Sequence, residues 1–358
     1  MLDARAAAKT LHAYRPPLAG RQGLRLDFNE STVGCSPHVL ARLRSLDAEL
    51  LAKYPERESV EAQVATFIGL DPSQVLLTNG VDEAIHLLCS TFLDSGDEAL
   101  IVVPTFAMYE IFAAAEGANV IQVPAGRDFA FPLKDVLGRI RERTRFVAVA
   151  NPNNPTGSAV ARDRLVQIAK AAPNAAVLVD EAYFEFHGET VIDQIGYVPN
   201  LFVTRTFSKA YGLAGLRCGI LAGPAEQMCT VRRIASPYNV NAVALAILPE
   251  VLSDHDHVEQ YAAEVRRNRD LLQHELGNLG LHHWPSHANF ILVRIGEAHA
   301  KFVEALRTRG ILVRDRDSDP GCAGCVRLTV GSDHHTQALL AALHEVVEQL
   351  DLRREVKA

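Results

Sequence analysis

Short apolar runs bounded by polar turn residues alternate with longer amphipathic stretches along the first two thirds of the chain. This is the pattern of strands each followed by a helix. Residues 24–30, 75–78, 99–103, 145–150, 177–180, 200–204 and 218–221 read as strands. Residues 1–12, 37–51 and 83–92 read as helices, and residues 104–109 open another. Such alternation implies βαβ units around a central, mostly parallel sheet. From residue 240 the pattern changes. Two long helical stretches, 240–252 and 257–279, lead into strands at 287–293 and 325–330. The expected fold is therefore α/β, a three-layer sandwich with a mostly parallel central sheet plus a smaller α+β domain. The expected division is an N-terminal arm packing with the small domain (1–35), a large domain (36–240) and a small C-terminal domain (241–358). No repeat and no Pro/Gly-rich linker separates the two domains, so they should share an interface.

Composition narrows the class. With 358 residues, 48% of them hydrophobic, the chain can bury a large core in about two domains. A net charge of -7 without a basic run argues against nucleic acid or an anionic membrane as the main partner. No run approaches the roughly 20 apolar residues of a membrane span. The six cysteines are scattered, and the start lacks a basic segment followed by an apolar one, so a cytoplasmic protein with reduced thiols is expected.

The candidate chemistry collects at predicted strand ends, where open α/β sheets place ligands. After the run 200–204 come Thr206, Ser208, Lys209 and Arg217. Two hydroxyls and an arginine fork can satisfy a phosphate dianion, and a lysine with a lowered pKa can attack an aldehyde. A surface loop with a salt-bridging lysine is the alternative. The run 177–180 ends in Asp180, with Tyr183 three residues on; taken alone, Asp180 reads first as a helix cap. Residues 151–157 hold Asn154 in a turn stiffened by Pro152 and Pro155. Gly80, Val81 and Asp82 open a helix in the layout that binds phosphate at a helix N-terminus. Arg327 stands alone in an apolar strand, so burial would require a partner, while an edge position facing water would not. Cys322 and Cys325 have the spacing of half a zinc site but lack a second such pair, so they are expected to be unlinked loop thiols; no metal is expected.

In order and spacing these stretches resemble the fold-type I pyridoxal-phosphate aminotransferases over nearly the whole chain. Tyr54-Pro55, the segment from Asn79 to Ile85 and the segment from Pro104 to Tyr109 are most similar to the histidinol-phosphate aminotransferases. The resemblance implies pyridoxal 5'-phosphate as cofactor and Lys209 as the Schiff-base lysine. It implies Asp180 as partner of the pyridine nitrogen, Asn154 and Tyr183 as ligands of the ring's phenolate oxygen, and Tyr109 as the stacking aromatic. Gly80, Val81, Asp82, Thr206, Ser208 and Arg217 would hold the phosphate, with Tyr54 reaching across a homodimer interface to the neighbouring subunit's phosphate. Arg327, Asn154, Tyr14 and Asn29 would contact substrate. Residues 31–37 depart from the Asn-Pro-x-Gly turn usual in relatives.

The implied reaction is ping-pong amino transfer from histidinol phosphate to 2-oxoglutarate, with Lys209, Asp180 and Tyr183 as the catalytic set. Selectivity is expected from Tyr14 and residues 31–35. The alternatives are an aromatic amino-acid aminotransferase or, further off, a phosphate-substrate decarboxylase of the same fold. A non-catalytic DNA-binding relative would carry a basic domain ahead of this fold, and the sequence shows no such footprint.

Overall fold

The computed structural model describes residues 2–11, 13–18 and 20–352. Among the described residues, twelve strands form two sheets. The larger contains β2 (Val75–Thr78), β3 (Glu98–Val103), β4 (Asn119–Pro124), β5 (Thr144–Ala150), β6 (Ala176–Asp180), β7 (Leu201–Thr206) and β8 (Gly219–Ala222). The smaller is built from β1 (Leu24–Leu26), β9 (His282–His283), β10 (Phe290–Arg294), β11 (Ile311–Asp315) and β12 (Cys325–Thr329).

In the large sheet the order is β2-β8-β7-β6-β5-β3-β4, and only β8 runs against its neighbours. Its inner strands are buried along their length, as expected of a sheet covered by helices on both faces. Alternate residues sort to opposite faces. Leu76, Leu178, Phe202 and Leu221 pack with the helices Val81–Phe92, Met108–Ala115 and Ala225–Ile234. Leu77, Val177, Val179, Leu201 and Val203 join the larger cluster on the other face, which continues into the helices of the C-terminal third. The sheet is thus the middle of three layers.

The small sheet has the order β1-β11-β12-β10-β9, antiparallel except where β1 pairs with β11. The N-terminal segment therefore completes a sheet made otherwise by the C-terminal part. Arg327 sits in β12, flanked by β10 and β11, so the edge-strand alternative fails.

Several boundaries differ from the sequence reading. The helix expected at 37–51 is two, Pro37–Arg44 and Ala48–Ala52, because the Asp47 carboxylate accepts from Leu50 N (3.0 Å) and starts a new helix. The strand expected at 24–30 stops at Leu26, and Asn29 takes a left-handed φ of 56° that no strand accommodates. The helix expected from 104 begins at Met108. Of the helix expected at 1–12, Ala6–Thr10 is helical, while Met1 and His12 lie outside the described residues. Among the described residues no helix is long and apolar enough to cross a membrane.

Candidate functional site

A cavity of about 410 Å³ lies between the carboxyl ends of the large sheet's strands and one face of the small sheet. That is within the usual range of small-molecule sites, about 300–1,000 Å³. Strands β5, β6 and β7 bring Ala150, Asp180 and Thr206 to the same edge, and antiparallel β8 starts there, so Arg217 arrives beside them.

One wall is suited to a phosphate. Gly80 has φ 77°, and a Cβ there would lie 2.5 Å from Arg217 Nη2, so only glycine lets the guanidinium reach the start of the helix Val81–Phe92. Arg217 donates to Asp82 Oδ2 (3.1 Å) with both side chains nearly half exposed. Val81, Asp82, Thr206, Ser208 and Arg217 all line the cavity. The Thr206 hydroxyl oxygen accepts from Ser208 N (3.1 Å), which leaves its proton for a ligand.

Asp180 lies deeper. Tyr109 Oη donates to its Oδ2 (2.5 Å), and Thr204 Oγ1 and Ala182 N donate to its Oδ1 (3.0 and 3.1 Å). All three donors are neutral, and burial pushes the carboxyl above its usual range. Among the described residues it has no cationic partner in an ion pair. A protonated ring nitrogen would supply that charge. Tyr109, expected as the stacking aromatic, lines the cavity but commits its hydroxyl to Asp180; Phe106, which also lines it, sits edge-on to Tyr109 at 5.8 Å.

Lys209 follows β7 by three residues and donates from Nζ to Phe28 O (2.9 Å). Burial first, and then the Arg327 guanidinium, lower its pKa from 10.5 to about 8. A usable fraction is therefore neutral near physiological pH. Across the cavity Asn29 Nδ2 donates to Tyr183 Oη (2.9 Å), and Thr329 Oγ1 donates to Asn29 Oδ1 (3.2 Å), fixing Asn29 to the small sheet.

Arg327 is 4% exposed. It donates from Nη1 to Asn154 Oδ1 (2.5 Å) and from Nη2 to Asp27 O (2.7 Å), and its carbon lies 5.3 Å from the Phe290 ring centroid. None of these is an acid, and Arg327 Nε has no partner among the described residues. Burial lowers its pKa from 12.5 to about 10. An uncompensated buried charge costs on the order of several kcal/mol, so this guanidinium is arranged for an anion from outside. Asn154 gives its oxygen to Arg327, which leaves the amide N–H₂ as the end that can donate to a ligand.

Tyr14, half exposed, also lines the cavity. Tyr54 does not: it is 79% exposed and stacks on Tyr238 with centroids 4.3 Å apart. Residues 31–35, expected to help select substrate, contribute nothing to the lining. Gly34 O instead packs against Gly212, and Ser36 caps the following helix. In their place stand Arg314 of β11 and, in the turn after it, Arg316, Ser318 and Asp319. The sequence reading missed these residues. Their signal was the alternation Arg314, Arg316 next to a strand, since Arg314 pairs in register with Arg327 and residues two apart share a face.

Cys322 and Cys325 are unlinked, as expected, but are fully buried against Phe129, Trp284 and Leu292.

A three-layer α/β fold with a buried lysine beyond a strand end, an unpaired carboxylate beneath it and a glycine-arginine phosphate wall defines a pyridoxal-phosphate-dependent transferase of fold type I. The residues fit pyridoxal 5'-phosphate at each end of the molecule: the Gly80–Arg217 approach for its phosphate and Asp180 for its ring nitrogen. The chain belongs to the aminotransferase class I and II family, whose sequence profile matches residues 21–345. It is 34% identical to the histidinol-phosphate aminotransferase of Caldanaerobacter subterraneus, over 90% of this chain and 93% of that one. Against the histidinol-phosphate aminotransferase of Paracoccus denitrificans the identity is 37%, over 87% and 85% of the two chains. The crystal structure of the Sinorhizobium meliloti histidinol-phosphate aminotransferase with pyridoxal-5'-phosphate superposes with a TM-score of 0.87 at 26% identity, covering 96% of this chain and 97% of that one.

Proposed function

We propose that this aminotransferase moves the amino group of histidinol phosphate to 2-oxoglutarate, yielding glutamate. The observation that carries the reading is Arg327, a buried guanidinium with only neutral acceptors, placed across the cavity from the phosphate wall. It can fork onto either a phosphate or a carboxylate, as two such substrates require. The names of the similar proteins support the donor. An aromatic amino-acid donor is not favoured by those likenesses, nor is a decarboxylase.

When bound, pyridoxal phosphate supplies a carbonyl that takes the substrate nitrogen and a protonated ring that withdraws electrons from the adjoining carbon. Lys209 Nζ, its pKa lowered to about 8, would serve as the base that takes the proton from the substrate Cα and as the acid that gives it back. Asp180 holds the ring nitrogen protonated, its own orientation fixed by Tyr109, Thr204 and Ala182 N. Asn154 and Tyr183 donate to the ring oxygen. Thr206, Ser208, Arg217 and the helix start at Gly80, Val81 and Asp82, through its backbone N–H groups, would hold the phosphate. Tyr109 and Phe106 bound the ring, and Tyr14 and Asn29 border the substrate.

The same reading makes the enzyme a cytoplasmic homodimer in which the exposed Tyr54 reaches the neighbouring subunit's cofactor phosphate. It divides the chain into an arm (1–35), a large domain (36–240) and a small domain (241–358). Support for the division is that the large sheet uses only residues 75–222, while the small one uses 24–26 and 282–329.

The test is a single-turnover panel following loss of the aldehyde-form absorbance with histidinol phosphate, phenylalanine, tyrosine and glutamate. Histidinol phosphate should lead the other donors in kcat/KM. An aromatic amino acid ahead by about tenfold, roughly 1.4 kcal/mol in transition-state binding, would overturn the donor while keeping the aminotransferase.

A further inference from the structure

Cys322 and Cys325 take no part in the chemistry derived so far, yet their placement is specific. Cys325 N donates to Cys322 O (2.8 Å), so the two cysteines are the ends of a four-residue turn. Such a turn holds its end Cα atoms within about 7 Å, close to the span of about 4.4–6.8 Å that a disulfide needs. Gly324 takes the turn's third position with φ 68°, and a Cβ there would lie 2.6 Å from Gly296 Cα. Its carbonyl accepts from Ile295 N (2.8 Å) and Gly296 N (3.1 Å), which fixes the turn's backbone to the segment after β10.

The side chains meet at this turn. The Cys322 thiol hydrogen-bonds to the Cys325 sulfur, and Arg294, the cross-strand partner of Cys325, hydrogen-bonds to the same sulfur. The bond from Cys322 first, and then Arg294, lower the Cys325 thiol below its ordinary value against the cost of burial, while Cys322, which gives the hydrogen bond, is held above its own. Of the nearby carboxylates, Asp317 opposes the shift at Cys325 and Asp319 raises Cys322 further, with Arg316 offsetting part of the latter. A buried cysteine that only fills space needs neither a facing thiol nor a cation. Here one sulfur is prepared as a nucleophile and the other as its partner.

Phe129 is the one buried member of the cysteines' cluster that comes from the large-sheet part of the chain, and its ring stands edge-on to Trp284 at 4.7 Å. Asp128 and Phe129 have left-handed φ values of 56° and 57°, which cost energy in residues other than glycine, so the loop that covers the thiols is strained. On its other side the turn reaches the cavity wall. Cys322 N donates to Asp319 O (2.9 Å), Asp319 and Pro320 line the cavity, and Arg327 follows Cys325 by two residues in β12.

We propose that Cys322 and Cys325 are a reversible redox site, closed to a disulfide by hydrogen peroxide and reopened by a dithiol, and that closure weakens the cavity's hold on its substrates. Cys325, as thiolate, attacks one peroxide oxygen; the O–O bond breaks, hydroxide leaves and a sulfenic acid remains on Cys325. The Cys322 sulfur then attacks the Cys325 sulfur: the S–S bond forms, the S–O bond breaks, and the oxygen leaves as water with the Cys322 proton. Hydroxide takes up the proton that Cys325 released, so a pair of thiols and one peroxide give a disulfide and a pair of waters, the thiols being oxidised and the peroxide reduced. Closure draws the sulfurs together from their hydrogen-bonded separation. With Gly324 pinned on one side, Cys322 must yield, and with it the Asp319 carbonyl and the cavity wall.

The holoenzyme is treated with hydrogen peroxide in slight excess and digested with trypsin. Cleavage after Arg316 and Arg327 leaves both thiols in residues 317–327, so closure reads as the loss of a pair of hydrogens from one peptide, restored by dithiothreitol. Arg294→Gln should slow closure and Phe129→Ala should speed it, each by about threefold or more. In wild type, oxidation should lower kcat/KM for the glutamate half-reaction, read by single turnover, by about threefold or more, and dithiothreitol should restore it. Cys322→Ala combined with Cys325→Ala should match the reduced wild type and lose nothing to the same peroxide. Oxidation confined to the exposed Cys229, with no disulfide in residues 317–327, would overturn the proposal. So would unchanged closure rates in both Arg294→Gln and Phe129→Ala, or a double cysteine variant as sensitive to peroxide as wild type. A disulfide that formed without altering the kinetics would overturn its control of the cavity. None of these readouts depends on which amino donor the enzyme prefers.

Discussion

The cavity has two buried, ionisable ends, and they are built as mirror images. At the large-sheet end Asp180 is a carboxylate surrounded by neutral donors, with no cation in an ion pair among the described residues. At the small-sheet end Arg327 is a guanidinium surrounded by neutral acceptors, with no acid. Each leaves one charge unbalanced in a buried place, and each is held by hydrogen bonds that fix its direction. The difference lies in what completes them. In the proposed function a resident cofactor, which stays through every cycle, would complete Asp180, and a substrate, which must leave, would complete Arg327. Arg217 makes the contrast plainer. It is half exposed and already paired with Asp82, so its charge is shared between protein and solvent.

The sharpest way to break this comparison is to alter both ends. Asp180→Asn removes the charge that keeps the ring nitrogen protonated, so kcat should fall by about a hundredfold or more for every substrate alike, within the span of acid–base assistance. Arg327→Lys keeps the charge but loses the fork, so KM for glutamate should rise by roughly ten- to a hundredfold, about 1.5–3 kcal/mol, with a smaller effect on kcat. Steady-state kinetics of the two variants check both. If both changed the same parameter for the same substrates, the division into a resident end and an exchanging end would be wrong.

A smaller effect is expected at the outer surface. Tyr54→Phe should lose activity several-fold by weakening cofactor retention, and mixing it with Lys209→Ala should restore part of the activity through hybrid dimers. Unchanged activity in Tyr54→Phe would withdraw the cross-subunit contact.

The smallest effect concerns stability between the two ends. Lys209 has its folded pKa lowered to about 8 from an ordinary 10.5 by burial. Between these values the unfolded chain holds a proton that the folded chain has released, so stability of the cofactor-free protein should rise with pH across that window. Below pH 8 the full cost of the buried ammonium is present. Cofactor-free Lys209→Met should therefore melt higher than wild type at pH 7, with the gap closing toward pH 10; a constant gap would mean the pKa is ordinary.

The large-sheet end was legible in the sequence, and the small-sheet end only partly so. Asp180, Lys209 and Arg217 each follow or precede an apolar run, and the parallel topology puts all such ends on one edge, so local pattern predicted spatial assembly. Arg327 was visible for the opposite reason, as a charge where none should be. Its partners were not visible. Asn154 lies 173 residues away and Asp27 lies 300 residues away, and no local pattern encodes those meetings. The second task of Tyr109 was hidden too, because an aromatic at a helix start signals a ring face and says nothing of where its hydroxyl points. Residues 31–35, expected to contribute selectivity, do not line the cavity, because no local pattern shows that Gly34 packs against Gly212.

The most direct measurement is where the cofactor attaches. Protein incubated with pyridoxal phosphate, reduced with borohydride and digested should yield a single modified peptide, with the phosphopyridoxyl group on Lys209 Nζ, and Lys209→Ala should yield none and lose amino transfer by about a thousandfold or more. Label on any other lysine, or Lys209→Ala transaminating at the wild-type rate, would contradict the account.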